Sequence, residues 1–218
     1  MQGRPTGDNG RMVEQSIWMQ KVAADPGHSR WYVERFRAMA RAGDDLAGEA
    51  RFVDALAPRG AHILDAGCGP GRLGGYLAAA GHRVVGVDVD PALIEAAEHD
   101  HPGPRWLVGD LAELDLPARG IVEPFDVIVS AGNVMTFLAP STRVQVLGRL
   151  RAHLSGDGRA AIGFGAGRGY AFAEFLDDAA EAGYVPELLL STWDMRPFTD
   201  DSDFLVALLR PAQALRPA

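Results

Sequence analysis

The segment AHILDAGCGPGRLGGYLAAAG, residues 61–81, constrains the fold more than any other part of the chain. Apolar residues lead to Asp65, and Gly67, Gly69 and Gly71 then occupy every second position before a run of helix formers. Glycines spaced in this way cost backbone entropy and add no side-chain packing, so something is expected to approach this main chain closely. The pattern predicts a strand, a tight turn and a helix whose free N–H groups can receive an anion.

The alternation of strand and helix patterns continues along the chain. We predict strands at 61–66, 83–88, 105–109, 125–130, 159–164, 187–193 and 203–210, and helices at 71–80, 91–99, 141–154 and 171–182. Strands that alternate with helices are typical of a parallel sheet covered on both faces. The last two strands have no helix between them, so they are predicted to pair antiparallel.

The segment before this alternation is helical in pattern, and Ser29 and Gly43 are expected to begin and end one amphipathic helix there. The predicted organisation is a flexible lead, a helical cap, an α/β domain and a short tail, at residues 1–12, 13–58, 59–210 and 211–218.

Composition narrows the choice of partners. The chain of 218 residues carries 21 basic and 29 acidic residues, a net charge of −8, without a basic cluster, and this disfavours a nucleic-acid partner. Cys68 is the sole cysteine, which excludes an intrachain disulfide and a cysteine-based metal cluster, and no metal is predicted. No apolar run reaches the roughly 18 residues of a membrane span, and the N-terminus lacks the apolar part of a secretory signal, so a cytoplasmic protein is expected.

Two classes of cofactor could use the glycine turn. The residues from Gly69 to Gly74 match the dinucleotide pattern G-x-G-x-x-G, but that pattern should begin where the strand ends. A match begun at Gly67 puts Arg72 at the third glycine position and fails. Asp65 would repel a pyrophosphate, whereas it would attract an ammonium or a sulfonium. A nicotinamide-dependent oxidoreductase is therefore kept as the alternative.

Five segments in order resemble the class I S-adenosylmethionine-dependent methyltransferases, and the resemblance covers about residues 45–210. They are ILDAGCGPGR (63–72), VVGVDVD (84–90), VGDLAELDL (108–116), FDVIVSAGNVMTFL (125–138) and GDGRAAIGF (156–164). The resemblance implies a doubly wound α/β fold with a seven-stranded sheet of order 3-2-1-4-5-7-6. Strand seven would be antiparallel, the helical cap would precede the sheet, and S-adenosylmethionine would be the cofactor.

The same resemblance implies which residues hold that cofactor. Asp88 would accept the ribose hydroxyls, Asp110 the adenine amino group, and the glycine turn would receive the methionine carboxylate while Asp65 attracts the ammonium. Cys68 lies within that turn and is interpreted as a small packing residue and not as a nucleophile. The predicted cofactor-binding residues are Asp65, Gly67, Cys68, Gly69, Gly71, Asp88, Val89, Asp110, Leu111 and Ala131.

The catalytic residue is not identified by the sequence, and His28, Tyr32 and Asn133 are the candidates. An apolar pocket formed by Trp31, Tyr32 and the loop 131–138 would favour an enzyme over a non-catalytic binding protein, whereas Trp31 and Tyr32 could instead serve only in core or lid packing. The residues around Asn133 depart from the D/N-P-P-Y/F pattern of enzymes that methylate amino groups of nucleic-acid bases. The predicted function is methyl transfer to an oxygen, nitrogen or carbon nucleophile on a small molecule. A non-catalytic protein that binds S-adenosylmethionine is the second alternative, and no oligomeric state is indicated.

Overall fold

The computed structural model describes residues 13–212, and the predicted lead at 1–12 lies outside them. Seven strands occur in the described part of the chain: β1 His62–Ala66, β2 Arg83–Asp88, β3 Arg105–Val108, β4 Phe125–Ser130, β5 Leu154–Gly165, β6 Tyr184–Leu190 and β7 Phe204–Pro211. Its helices are α1 Ile17–Ala24, α2 His28–Ala42, α3 Gly48–Leu56, α4 Arg72–Ala79, α5 Pro91–Asp100, α6 Val134–Phe137, α7 Arg143–His153 and α8 Phe172–Glu181. Pro211, which we assigned to the tail, belongs to β7, and residues 213–218 lie outside the described range.

All seven strands form one sheet of order β3-β2-β1-β4-β5-β7-β6, and this confirms the predicted topology. The first five strands pair in parallel, whereas β7 runs antiparallel to both β5 and β6. Most strand bounds agree with the sequence pattern, but β5 begins at Leu154, before the predicted start at 159, and β6 spans Tyr184–Leu190, not 187–193. The carboxyl ends of β1, β2, β3 and β4 lie at one edge of the sheet, which is where ligands bind in open α/β folds.

Successive residues of β1 point to opposite faces of the sheet, as the strand geometry requires. Ile63 packs in a core cluster with Leu77 of α4, and Leu64 packs in another with Leu147 of α7. Both β1 residues are fully buried. The sheet is therefore covered on both faces, and alternation places the side chain of Asp65 on the same face as α4.

The helices before β1 cover two different parts of the domain. α1 and α2 pack against α6 and α5, while α3 packs against α4. Gly43 ends α2 in the left-handed conformation, as predicted, with φ 83°. The prediction for Ser29 was wrong, because α2 begins at His28 and Ser29 lies in its first turn, where the hydroxyl donates to Asp90. The division of the chain at residue 58 stays a prediction.

Within residues 13–212, no helix combines the length and the apolar character that crossing a membrane requires.

Candidate cofactor and active site

A cleft opens at the carboxyl ends of β1, β2, β3 and β4. Nine of the ten predicted cofactor-binding residues line this cleft, and Gly71 is the exception. The rest of the lining comes from α1, α2, α4, α5 and the loop after β4. The cleft therefore joins the predicted cofactor turn to a wall made by the helical cap.

The Asp65 carboxylate lies at the end of β1 and is only 2% exposed. Its Oδ2 accepts a hydrogen bond from the backbone N–H of Gly74 at 3.0 Å. Burial raises the pKa of this carboxyl to about 7, although the hydrogen bond from Gly74 and the charge of Arg72 both lower it. A cation bound in the cleft would favour the ionised form and bring that pKa down again.

The Asp88 carboxylate braces the glycine turn from the end of β2. Its Oδ2 accepts from the Gly69 N–H at 2.8 Å and its Oδ1 accepts from the Asp90 N–H at 3.0 Å. Burial raises its pKa to about 6 against these two backbone hydrogen bonds. A carboxylate offers about four acceptor sites, so Asp88 retains the capacity to accept further hydrogen bonds from a ligand.

Asp110 follows β3 and is half-buried at the third strand tip. Its Oδ1 accepts from the Ala112 N–H at 2.8 Å, which caps the short 3-10 helix Leu111–Glu113. The cap fixes the carboxylate at the rim of the cleft, with Leu111 forming the buried surface beside it. Asp110 therefore both caps a turn and lines the cleft, so the structural role does not exclude a contact with a ligand.

The three glycines of the turn all have positive φ, and a β-carbon added to each would meet a different neighbour. A β-carbon placed on Gly67 would lie 2.4 Å from Cγ2 of Val134, in the loop after β4. On Gly71 it would lie 2.8 Å from the β-carbon of Ala97, so this glycine is required by α5 and not by the cleft. On Gly69 the nearest atom is Cε1 of Tyr32 at 3.8 Å, so the main chain at Gly69 faces the cleft.

Cys68 lies within the turn and is buried in a cluster with Ile94, Ala97 and Trp106. Burial raises the pKa of its thiol well above the usual value, so the thiol stays protonated and is a poor nucleophile. Its packing agrees with the interpretation made from the sequence.

Comparisons with known proteins agree with this geometry. The family described as "Methyltransferase domain" matches residues 63–158, which contain the glycine turn and the tips of β1 to β4. The crystal structure of a TehB-like SAM-dependent methyltransferase from Corynebacterium glutamicum is 52% identical in sequence, with a TM-score of 0.81. The similarity covers 86% of this chain and all of that one. The chain belongs to the S-adenosylmethionine-dependent methyltransferases.

Two curated methyltransferases are more distant relatives. Magnesium-protoporphyrin O-methyltransferase of Rhodobacter capsulatus is 32% identical over 155 residues, which cover 67% of this chain and 61% of that protein. Malonyl-[acyl-carrier protein] O-methyltransferase of Pectobacterium atrosepticum is 30% identical over 105 residues, or 48% of this chain and 40% of that protein. This methyltransferase chain thus matches less than two thirds of the length of either relative.

The cofactor of the family is S-adenosylmethionine, and the residues of the cleft fit such a group. It carries an ammonium, a carboxylate, a ribose and an adenine, and the cleft offers the carboxylates of Asp65, Asp88 and Asp110 beside a main chain with room for close approach. No group of three or more His, Cys, Asp or Glu side chains within residues 13–212 is placed to hold a metal ion.

The three catalytic candidates of the methyltransferase lie in different places. Tyr32 lines the cleft, but His28 and Asn133 do not. The ring of His28 packs 5.0 Å from the ring of Trp18. The Oδ1 of Asn133 accepts from the backbone N–H of Gly165 at 2.8 Å, so this side chain joins the loop after β4 to the end of β5. Of the three, Tyr32 is the one whose position suits contact with a substrate.

The aromatic wall of the cleft is formed by Trp18, Tyr32, Phe36 and Phe137. The sequence pointed to Tyr32 and to the loop 131–138, which contains Phe137, but not to Trp18 or Phe36. The Trp18 ring meets Tyr32 edge-on at 5.1 Å and Phe137 edge-on at 5.5 Å between centroids. Trp31, which the sequence offered as a candidate for this pocket, is 55% exposed and lies outside it. A helical wheel of α2 could have excluded Trp31, since it is a neighbour of Tyr32 and points elsewhere.

Arg72 is the remaining charged residue in the lining, and it is already paired. Its guanidinium donates to both carboxylate oxygens of Glu49 at 2.9 Å and also to the carbonyl of Leu46. It also lies over the Phe36 ring at 5.5 Å. These contacts tie α4 to α3 and neutralise the charge of Arg72 next to the cleft.

Proposed function

We propose that this protein transfers the methyl group of S-adenosylmethionine to an uncharged, largely apolar small molecule. The observation that carries the proposal is the division of one cleft into two parts. The strand tips contribute the three carboxylates, whereas the aromatic wall contributes no charge. A bound cofactor would occupy the charged part and leave the aromatic part for the acceptor.

The geometry of the cleft supports the cofactor contacts that the family resemblance implies. Asp65 would face the ammonium, and Asp88 and Asp110 would accept from the ribose hydroxyls and the adenine amino group. The main chain from Gly67 to Gly69 would approach the methionine part. When bound, the cofactor supplies a methyl group on a positively charged sulfur, ready for displacement by a nucleophile.

The class of acceptor follows from the electrostatics of the wall. The side-chain polar atoms of the wall and its neighbours Ser16 and Leu138 are two hydroxyl groups and the indole N–H of Trp18, which already donates to Asp90. The guanidinium of Arg72 is held by Glu49. A charged acceptor would lose its hydration there without gaining a partner, which is unfavourable. A flat, neutral acceptor would instead gain contact with aromatic rings. The net charge of −8 further supports a small molecule over a nucleic acid.

The chain would accelerate the transfer mainly by alignment and by exclusion of water. Tyr32 is the proposed orienting group, since its ring lies next to the Gly69 turn and its hydroxyl about 4.0 Å from where a β-carbon on Gly132 would be. Burial raises the pKa of Tyr32, so its phenol stays protonated and can donate or accept a hydrogen bond. Tyr32 would then orient the nucleophile and would not remove its proton.

The test combines binding and turnover. Calorimetry with S-adenosylhomocysteine should show binding, and Asp88→Ala should weaken it strongly. Transfer of labelled methyl groups should then be measured with panels of neutral aromatic, anionic and cationic small molecules. Preference for the neutral panel is the expected result. Binding without transfer to any small molecule, together with labelling of added RNA or protein, would contradict the proposed acceptor class.

Phe137→Ala serves as a matched variant on the acceptor side. It removes one ring from the aromatic wall and so enlarges the acceptor part of the cleft without touching a strand tip. The affinity for S-adenosylhomocysteine should therefore hardly change, while the preference among acceptors shifts.

A further inference from the structure

The Asp90 carboxylate joins the helical cap to the strand-tip region. This side chain is 2% exposed and its Oδ1 accepts from the Ala92 N–H at 2.9 Å, which caps α5. Its Oδ2 accepts from Nε1 of Trp18 at 2.8 Å and from the hydroxyl of Ser29 at 2.5 Å. Oδ1 therefore caps α5 beside the sheet, while Oδ2 accepts one hydrogen bond from each of α1 and α2.

The three donors require an acceptor without protons of its own. An ionised carboxylate can accept all of them, whereas an amide would present its NH₂ group to Trp18 or Ser29. A cap alone would need only the oxygen that faces Ala92. The hydrogen bonds to the second oxygen thus come from the cap helices and are not needed to begin α5.

Trp18 is the donor that matters for the cleft. Its ring is 7% exposed and contacts Tyr32 and Phe137 edge-on, so its position fixes two other members of the aromatic wall. The hydrogen bond to Asp90 satisfies the buried indole N–H and restrains the ring at its polar end. The backbone N–H of Asp90 also donates to Asp88, the proposed ribose acceptor.

We infer that Asp90 is a positioning residue: through Trp18 and Ser29 it holds the aromatic wall in place over the acceptor part of the cleft. Through its backbone it connects that wall to the carboxylate proposed to bind ribose. The inference rests on the proposed function, since the position of the wall matters only if the cleft holds cofactor and acceptor. Asp90 itself does not contact the reacting atoms.

The test uses Asp90→Asn, which keeps an oxygen for Ala92 but disrupts the pair of donors from the cap. The readout is the exchange of the Trp18 indole N–H with solvent, followed by nuclear magnetic resonance and assigned with Trp18→Phe among the four tryptophans. Loss of a hydrogen bond to a charged group predicts exchange faster by about tenfold or more. The affinity for S-adenosylhomocysteine should change by less than about threefold, because Asp88 and the glycine turn remain.

Asp100→Asn is the matched control. The Asp100 carboxylate pairs with Arg37 of α2 at 2.8 and 2.9 Å, so it joins α5 to α2 away from the cleft and, within the described residues, makes no hydrogen bond with α1. Its loss should leave the exchange of the Trp18 indole at the wild-type rate. If the exchange of the Trp18 indole N–H became equally faster in both variants, Asp90 would only stabilise the cap in general, and the inference would be overturned.

Further outcomes separate the inference from the proposed function. An unchanged Trp18 signal in Asp90→Asn refutes the positioning role, even if the ligand binds normally. Failure of the wild type to bind S-adenosylhomocysteine refutes the proposed function instead. If Asp90→Asn does not fold, Ser29→Ala removes a single donor from the same oxygen and should still shift the indole resonance, and an unshifted signal counts against the inference.

Discussion

The proton balance of Asp65 on ligand binding gives a quantitative test of the cofactor site. Its pKa of about 7 in the free protein means that about three quarters of the carboxyls are protonated at pH 6.5. A ligand ammonium placed beside Asp65 would stabilise the carboxylate. Binding of S-adenosylhomocysteine at pH 6.5 should therefore release on the order of half a proton or more, provided that the pKa falls well below 6.

Calorimetry in buffers of different ionisation enthalpy measures that release directly. The ionised fraction of Asp65 rises from about one tenth at pH 6 to about three quarters at pH 7.5, so affinity should increase about eightfold over this range. Asp65→Asn keeps an oxygen for the Gly74 N–H but loses the charge. Its affinity should be about ten- to a hundredfold lower near pH 7.5, with most of the pH dependence gone.

The stability of the free protein should respond to pH in the opposite direction. The pKa of Asp65 is about 7 in the folded state and near 3.8 when the chain unfolds. Between these values the folded state binds more protons, so the free energy of unfolding falls as pH rises from about 4 to 7. Asp65→Asn should therefore raise the Tm near pH 8 while it weakens binding. A flat proton balance, with unchanged Tm and affinity in Asp65→Asn, would refute the assignment of this carboxylate to the ammonium.

Three further changes test other parts of the cleft. Asp88→Asn should weaken S-adenosylhomocysteine binding about tenfold or more, measured by calorimetry. The change removes a charged acceptor and can place the amide NH₂ against the backbone N–H of Gly69. Gly67→Ala should lower both the Tm and the affinity, because the new β-carbon would overlap Val134 and the residue has positive φ. Gly120→Ala is the control: its φ is 79° but the space around it is open, so it should lower the free energy of unfolding by only about 1–2 kcal/mol and leave the affinity unchanged. Tyr32→Phe should bind S-adenosylhomocysteine within about threefold of wild type but transfer methyl groups more slowly, and an unaltered rate would remove the phenol from the mechanism.

The sheet and the strand tips could be predicted because their signals are local in the sequence. A buried run of apolar residues, a turn glycine and an acid at the strand end are all contained within a few residues of Asp65 or Asp88. The order of the strands came from the family resemblance, and the structure confirms it. The cap at Asp90 followed by Pro91 also needed only adjacent residues.

The aromatic wall could not be predicted in the same way, because its geometry depends on how distant helices cross. Trp18 and Trp31 are both aromatic residues in helical segments, yet Trp18 is buried by α6 and by Asp90 while Trp31 faces outward. Asn133 likewise has a partner at Gly165, far away in sequence, so its role in joining β4 and β5 left no local trace.

The cleft has two physically different parts, the strand-tip carboxylates and the aromatic wall. This difference explains why the residues of the first part could be predicted from the sequence. The strand tips must hold buried carboxylates, whose desolvation raises the pKa of Asp65 and Asp88 and destabilises the charged free state. A bound cationic ligand offsets this cost of desolvation. The carboxylates that contact such a ligand must be held precisely, and rigid strand ends hold them at fixed positions. The aromatic wall carries no such electrostatic demand, and its side chains come from the cap helices and, at Phe137, from α6. Under the proposed function, acceptor choice would change through these aromatic residues while the strand-tip carboxylates stay the same.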